Sequence, residues 1–152
     1  MHSGWIEKRQ FERVDAMIKV SYCVLPKEEL VVVLAETSYR DSTAEMLPNL
    51  SKRSATLNAV TKDISIGGMS LVGEEAFPAE GALEIKLHLP TYPIPLTMLA
   101  EVVRLEAESS GALGTMYRAG IKILAINRGD VMHLDKFLLA EKIRQRGMGK
   151  NA

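Results

Sequence analysis

Strict period-two alternation is what most confines the fold of this chain. Leu83, Ile85, Leu87 and Leu89 alternate with Glu84, Lys86 and His88, the pattern of a half-buried strand. Ile18, Val20, Tyr22 and Val24 alternate in the same way with Lys19, Ser21 and Cys23. Leu96, Met98, Ala100 and Val102 repeat the theme, and Tyr117, Ala119, Ile121 and Ile123 repeat it around Arg118 and Lys122. At Val103 and Leu105 the register shifts, which predicts a bulge or a strand buried on both faces. Two further strands are expected over 55–61 and 68–72, with turn signals over 78–81, 90–95 and 109–114. Short strands at this spacing point to an all-β barrel or sandwich.

The pattern changes at the C-terminal end. From Asn127, an N-cap residue type, Val131, Leu134, Phe137 and Leu138 fall at helical spacing, with Leu139 and Ile143 widening the stripe. Lys142, Arg144 and Arg146 complement the negative end of the helix dipole, and Gly147 is placed to end the helix. A C-terminal helix over 128–146 is therefore expected to pack on the β body. Residues 26–52 fit the strand pattern poorly. Pro26 with the acidic residues after it reads as one helix start, and Asp41 through Glu45 reads as another. The segment is read as a partly helical insertion between the first two strands. Its apolar run from Leu30 to Leu34 needs a partner, either the barrel or a second copy of the chain, so a homo-oligomer is one expectation. The resulting division is a flexible polar arm over 1–14, anchored at most by Trp5, Ile6 and Phe11, followed by the β body over 15–147.

Charge and composition narrow the function. Lys and Arg total 19 and Asp and Glu total 19, so the net charge is zero and a surface that coats DNA or RNA is excluded. The single cysteine, Cys23, leaves no internal disulfide and fits a reducing compartment. No stretch has the length of a membrane span, and the N-terminal residues are too polar for a signal peptide, so a cytoplasmic location is expected. The histidines His2, His88 and His133 are scattered, and no Cys/His spacing suggests zinc. Neither catalysis, a metal nor a cofactor is expected.

Two segments carry the chemistry. Arg9 and Arg13 lie four positions apart in the arm, and Asp63, Ser65, Gly67 and Gly68 form a small-residue corner after an apolar run. A guanidinium presents a planar fork of donors that pairs bidentately with phosphate or with the O6/N7 edge of guanine, and it can stack on a base. Asp63 is a natural acceptor for the N1 and N2 donors of guanine. The Ser65 hydroxyl can reach a phosphate or tie the turn, while Gly67 and Gly68 allow positive φ and close approach of a backbone. Singly, an arginine pair is most often a solvated face and a Ser/Gly corner most often a plain turn. Together they suit a guanine nucleotide with accessible phosphates.

In this order, the two segments resemble the RxxxR and (D/N)xSxxG signatures of the PilZ domain, the bacterial receptor module for cyclic di-GMP. The resemblance extends over roughly residues 7–145, with strands around Ala100–Arg104 and Ala119–Ile123 before a terminal helix. It implies a six-stranded antiparallel barrel. Residue by residue, it implies that Arg9 and Arg13 wrap over the ligand, and that Asp63, Ser65 and Gly68 meet a guanine from the barrel surface. Lys8 stands where a basic residue would assist a second stacked ligand molecule, and Arg104 where some relatives present an aromatic side chain. A receptor of this kind signals by ligand-driven ordering of the arm, which changes a surface offered to a downstream protein that the sequence does not identify. Two rivals are a scaffold of the same fold that binds no nucleotide and a flavin-binding split barrel, which would purify yellow.

Overall fold

The computed structural model describes residues 13–26, 28–29, 39–40, 43–44, 56–112 and 114–151. Among these residues nine strands are formed: β1 (Val14–Asp15), β2 (Lys19–Leu25), β3 (Tyr39–Arg40), β4 (Thr43–Ala44), β5 (Leu57–Ile64), β6 (Gly68–Gly73), β7 (Ala82–His88), β8 (Leu96–Gly111) and β9 (Gly114–Asn127). The C-terminal helix, α1, spans Arg128–Asn151. Six strands close a ring in the order β5–β2–β7–β8–β9–β6, and every pairing around it is antiparallel. β6 closes the ring by pairing with both β5 and β9. The expected six-stranded antiparallel barrel with a C-terminal helix is what forms.

The alternation read from the sequence fills the barrel. Val20, Tyr22, Leu83, Ile85, Leu87, Leu96, Met98, Ile121 and Ile123 point into one core with Ile64, Met69 and Leu71. Each side chain of this size contributes about 1.5–3 kcal/mol by leaving water. Leu134, Phe137 and Leu138 of α1 join that core. Asp130, in the first turn of the helix, fixes its start: Oδ2 accepts the Thr97 N–H at 3.2 Å and ties α1 to the beginning of β8. The shift expected after Val102 is a bulge between Val102 and Arg104 in the pairing of β8 with β9.

Four readings need correction. Glu84 was placed on the solvent face of a half-buried strand, yet it is only 1 % exposed. The cross-strand row Tyr22–Ile85–Met98–Ile126 faces inward, and the adjacent row Cys23–Glu84–Leu99–Ala125 faces outward but is equally buried. Burial on both faces cannot be told from burial on one when a single carboxylate interrupts the apolar run. Cys23 is buried on this outer side. Second, Thr43 and Ala44, within the segment read as another helix start, are strand: β4 pairs antiparallel with β3 and parallel with Ile126–Asn127, where its backbone groups gain ladder partners. Third, Gly147 does not end α1, which continues to Asn151; Gly114 is the glycine with positive φ among the described residues, so Gly147 keeps helical geometry. Fourth, the division at residue 14 cuts through a strand, because Val14 and Asp15 pair with Ile64 and Asp63. Glu28 and Glu29 are helical, in line with the first helix start, and the Leu30–Leu34 run lies outside the described residues.

Candidate functional site

The Asp63 corner is built by a bulge and a hairpin. In β5 the register shifts between Thr61 and Asp63, which turns Asp63 outward opposite Ser70 of β6. Thr61, fully buried, pins the chain above it: its Oγ1 accepts the Ile18 N–H at 2.8 Å and donates to the Ala16 carbonyl. Ala16 N–H in turn donates to the Lys62 carbonyl at 3.2 Å. These bonds hold the strand that follows Arg13 against the corner.

Ser65 serves the turn. Its Oγ accepts the N–H groups of Gly67 (3.2 Å) and Gly68 (3.1 Å) and donates to the Gly68 carbonyl (3.2 Å). It is 2 % exposed, so of the two roles read for this hydroxyl the structure places it in the second. The Gly67 carbonyl accepts from Ile123 N–H at 3.0 Å, docking the turn on β9. Neither Gly67 nor Gly68 has a positive φ. Gly68 is required by close approach of another kind: a Cβ there would sit 2.3 Å from the Ile121 carbonyl oxygen, so protein backbone occupies the space.

Arg13 reaches this corner. Its Nη1 donates to Asp63 Oδ1 at 2.7 Å and lies 3.4 Å from Ser70 Oγ, joining the two segments across 50 residues of sequence. Arg9 and Lys8 lie outside the described residues.

One cross-strand row continues from this contact: Asp15–Asp63–Ser70–Gly120–Arg104 across β1, β5, β6, β9 and β8. Ser70 and Gly120 have no bulk of their own, so the two strands between Asp63 and Arg104, about 10 Å at the usual strand spacing, form a low shelf that the Arg13 and Arg104 side chains cover, with Ser70 only 4 % exposed. The Arg104 side chain lies over Gly120, within 3.0 Å of where a Cβ would be, and its Nε donates to Glu106 at 3.0 Å. Arg118 approaches the same Glu106 at 3.9 Å, and Lys122 shares the outward parity of Gly120 on β9. Thr61, Ser70 and Gly120 were missed in the sequence. For Gly120 a signal existed, since it is a small residue at an outward position between Arg118 and Lys122 of the same strand.

Such a surface can take a planar group on the shelf, with guanidinium groups at both rims and a carboxylate accepting N–H donors at one of them. Each rim arginine has a carboxylate beside it, so an anionic ligand needs further cations. Among the described residues no group of three His, Cys, Asp or Glu side chains could hold a metal ion. Among those residues, too, no helix is long and apolar enough to cross a membrane.

The class of protein is a small closed antiparallel β-barrel, with an arginine entering from its N-terminal side onto a carboxylate beside a glycine-bearing hairpin. The family model of the PilZ domain matches residues 7–140, and the chain belongs to that family. The PilZ domain of YcgR from Escherichia coli, solved with c-di-GMP, superposes with a TM-score of 0.58 at 14% identity, covering 95% of this chain and 99% of that one. The Bacillus subtilis inhibitor of motility MotI/DgrA superposes with a TM-score of 0.57 at 17% identity; 90% of this chain is covered, and it spans 52% of that protein. A tetrameric PilZ domain from Xanthomonas campestris, self-assembled via a helical bundle, gives 0.51 at 14% identity, with 95% and 97% covered. A comparison with curated protein sequences gives no match.

Proposed function

We propose that the chain is a cyclic di-GMP receptor whose N-terminal arm closes over the ligand on the Ser70–Gly120 shelf. The observation that carries this reading is the contact between Arg13, the second arginine of RxxxR, and Asp63, the first residue of DxSxxG. The E. coli neighbours solved with c-di-GMP support the choice of ligand.

Arg13 is paired with Asp63. A guanine presenting N1–H and N2–H to that carboxylate competes with the guanidinium, which then turns to a phosphate or to the O6/N7 edge. The exchange is cheap, because an ion pair whose arginine is 42 % exposed contributes about 0–1 kcal/mol. Arg9 supplies the second fork and Lys8 an added cation for a second stacked ligand molecule. Ser65 acts by holding the hairpin rather than by touching phosphate. Arg104 stacks on or borders the base at the far rim. The arm moves from the paired state to a closed one, and the surface changed by that movement is read by a downstream protein in the cytoplasm. The reading assigns the chain no catalytic step.

Titration calorimetry with cyclic di-GMP tests it. The parent binds; Arg9→Ala, Arg13→Ala and Asp63→Ala each lose about 1.5–3 kcal/mol, a ten- to hundredfold loss of affinity. An Arg9/Arg13 double variant that binds like the parent, or a parent that does not bind, refutes the assignment.

A further inference from the structure

We infer that the outer face of α1 is a self-association surface on which two copies of the chain pair antiparallel, helix against helix. The helix has two apolar faces. Leu134, Phe137 and Leu138 are buried in the barrel core. On the other side Met132, Leu139 and Ile143 are 60 %, 58 % and 61 % exposed. Three large side chains left in water along one stripe differ from the single exposed residues common on any surface. Their spacing of seven and then four, with Lys136 between the first two, is the spacing of a helix-pairing seam.

Charge selects the occupant and its direction. Asp135 and Lys142 are seven residues apart, so they flank the seam on the same side. When two copies run antiparallel, positions of this kind face each other, and Asp135 of each copy meets Lys142 of the other twice over. In the same register Ile143 packs on the second copy's Met132, and the Lys136 stem lies along Leu139. On the opposite flank Ala140 is small and His133 is folded back onto Tyr92, their rings 3.8 Å apart, so the helices can approach closely. A parallel pair would instead set Lys136 against Lys136 and leave Asp135 facing Ala140. The self-association expected from the Leu30–Leu34 run thus falls on a different surface. It does not depend on the nucleotide.

Sedimentation equilibrium of the full chain across the micromolar range is the test, with melting curves as the control for folding. The expected result is a reversible equilibrium between 16.8 kDa monomer and its dimer. Leu139→Asp weakens the dimer about a hundredfold or more, since the change is made on both copies. Asp135→Lys and Lys142→Asp each weaken it about tenfold, and the double variant regains most of the parental affinity. The swap also covers any partner that Lys142 has within its own chain, because loss of such a contact would not be rescued by a change at residue 135. A chain that stays monomeric, a dimer indifferent to Leu139→Asp, or single variants that the swap does not rescue overturns the proposal. So does co-sedimentation of the parent with anionic lipid vesicles that Leu139→Asp abolishes while the chain remains monomeric, because the stripe then serves a membrane.

Discussion

Gly68 shows how little room one residue can leave. The space for its Cβ is filled by the Ile121 carbonyl, which cannot retreat without breaking the β6–β9 ladder that closes the barrel. Gly68→Ala is therefore expected to destabilise the fold by about 1–3 kcal/mol, the range for forced overpacking, as read in a urea melt. A variant as stable as the parent would show that β6 can shift. Tyr22 presents the opposite case. It is 2 % exposed, its ring stacks on Phe77 with centroids 5.5 Å apart, and its hydroxyl finds no hydrogen-bond partner among the described residues. Burial, and then the nearby Glu75 charge, push its pKa up. Tyr22→Phe keeps the stack and removes the stranded hydroxyl, so stability should rise by about 1 kcal/mol. A loss of stability on the same melt would reveal a partner for that hydroxyl. At this scale the sequence named Gly68 for the right reason in kind, close backbone approach, but aimed it at a ligand. The space belongs to Ile121, which lies more than fifty residues away in the chain, and a tertiary contact of that separation leaves no local trace.

Elements were more legible than their faces. Period two located β2, β7, β8 and β9, and even the bulge after Val102, because interior side chains repeat strictly in a barrel strand. It could not show β1, which is two residues long and pairs with Ile64 and Asp63 of β5, while Thr61 fixes Ala16 and Ile18 just after it. Nor could it show that the start of β7 is covered on both sides. The outer face of β2 and β7 also places Ser21 Oγ 3.0 Å from His88 Nε2, beside Lys19 and Lys86. Desolvation, and then those two lysines, hold the His88 pKa below its ordinary value. The unfolded chain, with a histidine near 6.5, therefore takes up a proton before the folded one does. Stability from this source is complete above the unfolded pKa and is lost as pH falls through 6.5 toward the lowered folded value. In urea melts the parent should lose stability relative to His88→Gln on moving from about pH 7.5 to about pH 5.5. A difference that does not change with pH would mean that the lysines do not act on this ring.

Across the whole molecule, removing the arm tests whether the barrel stands without it. The described core begins at Val14, and the interactions that close the barrel lie within β2 and β5 to β9. Removing residues 1–12 leaves Arg13, Asp63 and every buried side chain of that core in place. The shortened chain should then melt within a few degrees of the parent in the absence of ligand, on the scale at which 1 kcal/mol moves a domain of this size by about 2–4 °C. Ligand separates the two. At a hundred times its dissociation constant, cyclic di-GMP would stabilise the parent by about 2.7 kcal/mol, which raises the melting temperature by roughly 5–11 °C. The shortened chain lacks Lys8 and Arg9, and each guanidinium left at the shelf already has a carboxylate beside it. Its thermal shift at the same concentration should fall to a small fraction of the parent's. If it shifts as far as the parent, the shelf binds unaided and the arm is not part of the receptor. If it melts far lower without ligand, the arm is a piece of the fold, and a switch that depends on its release could not operate.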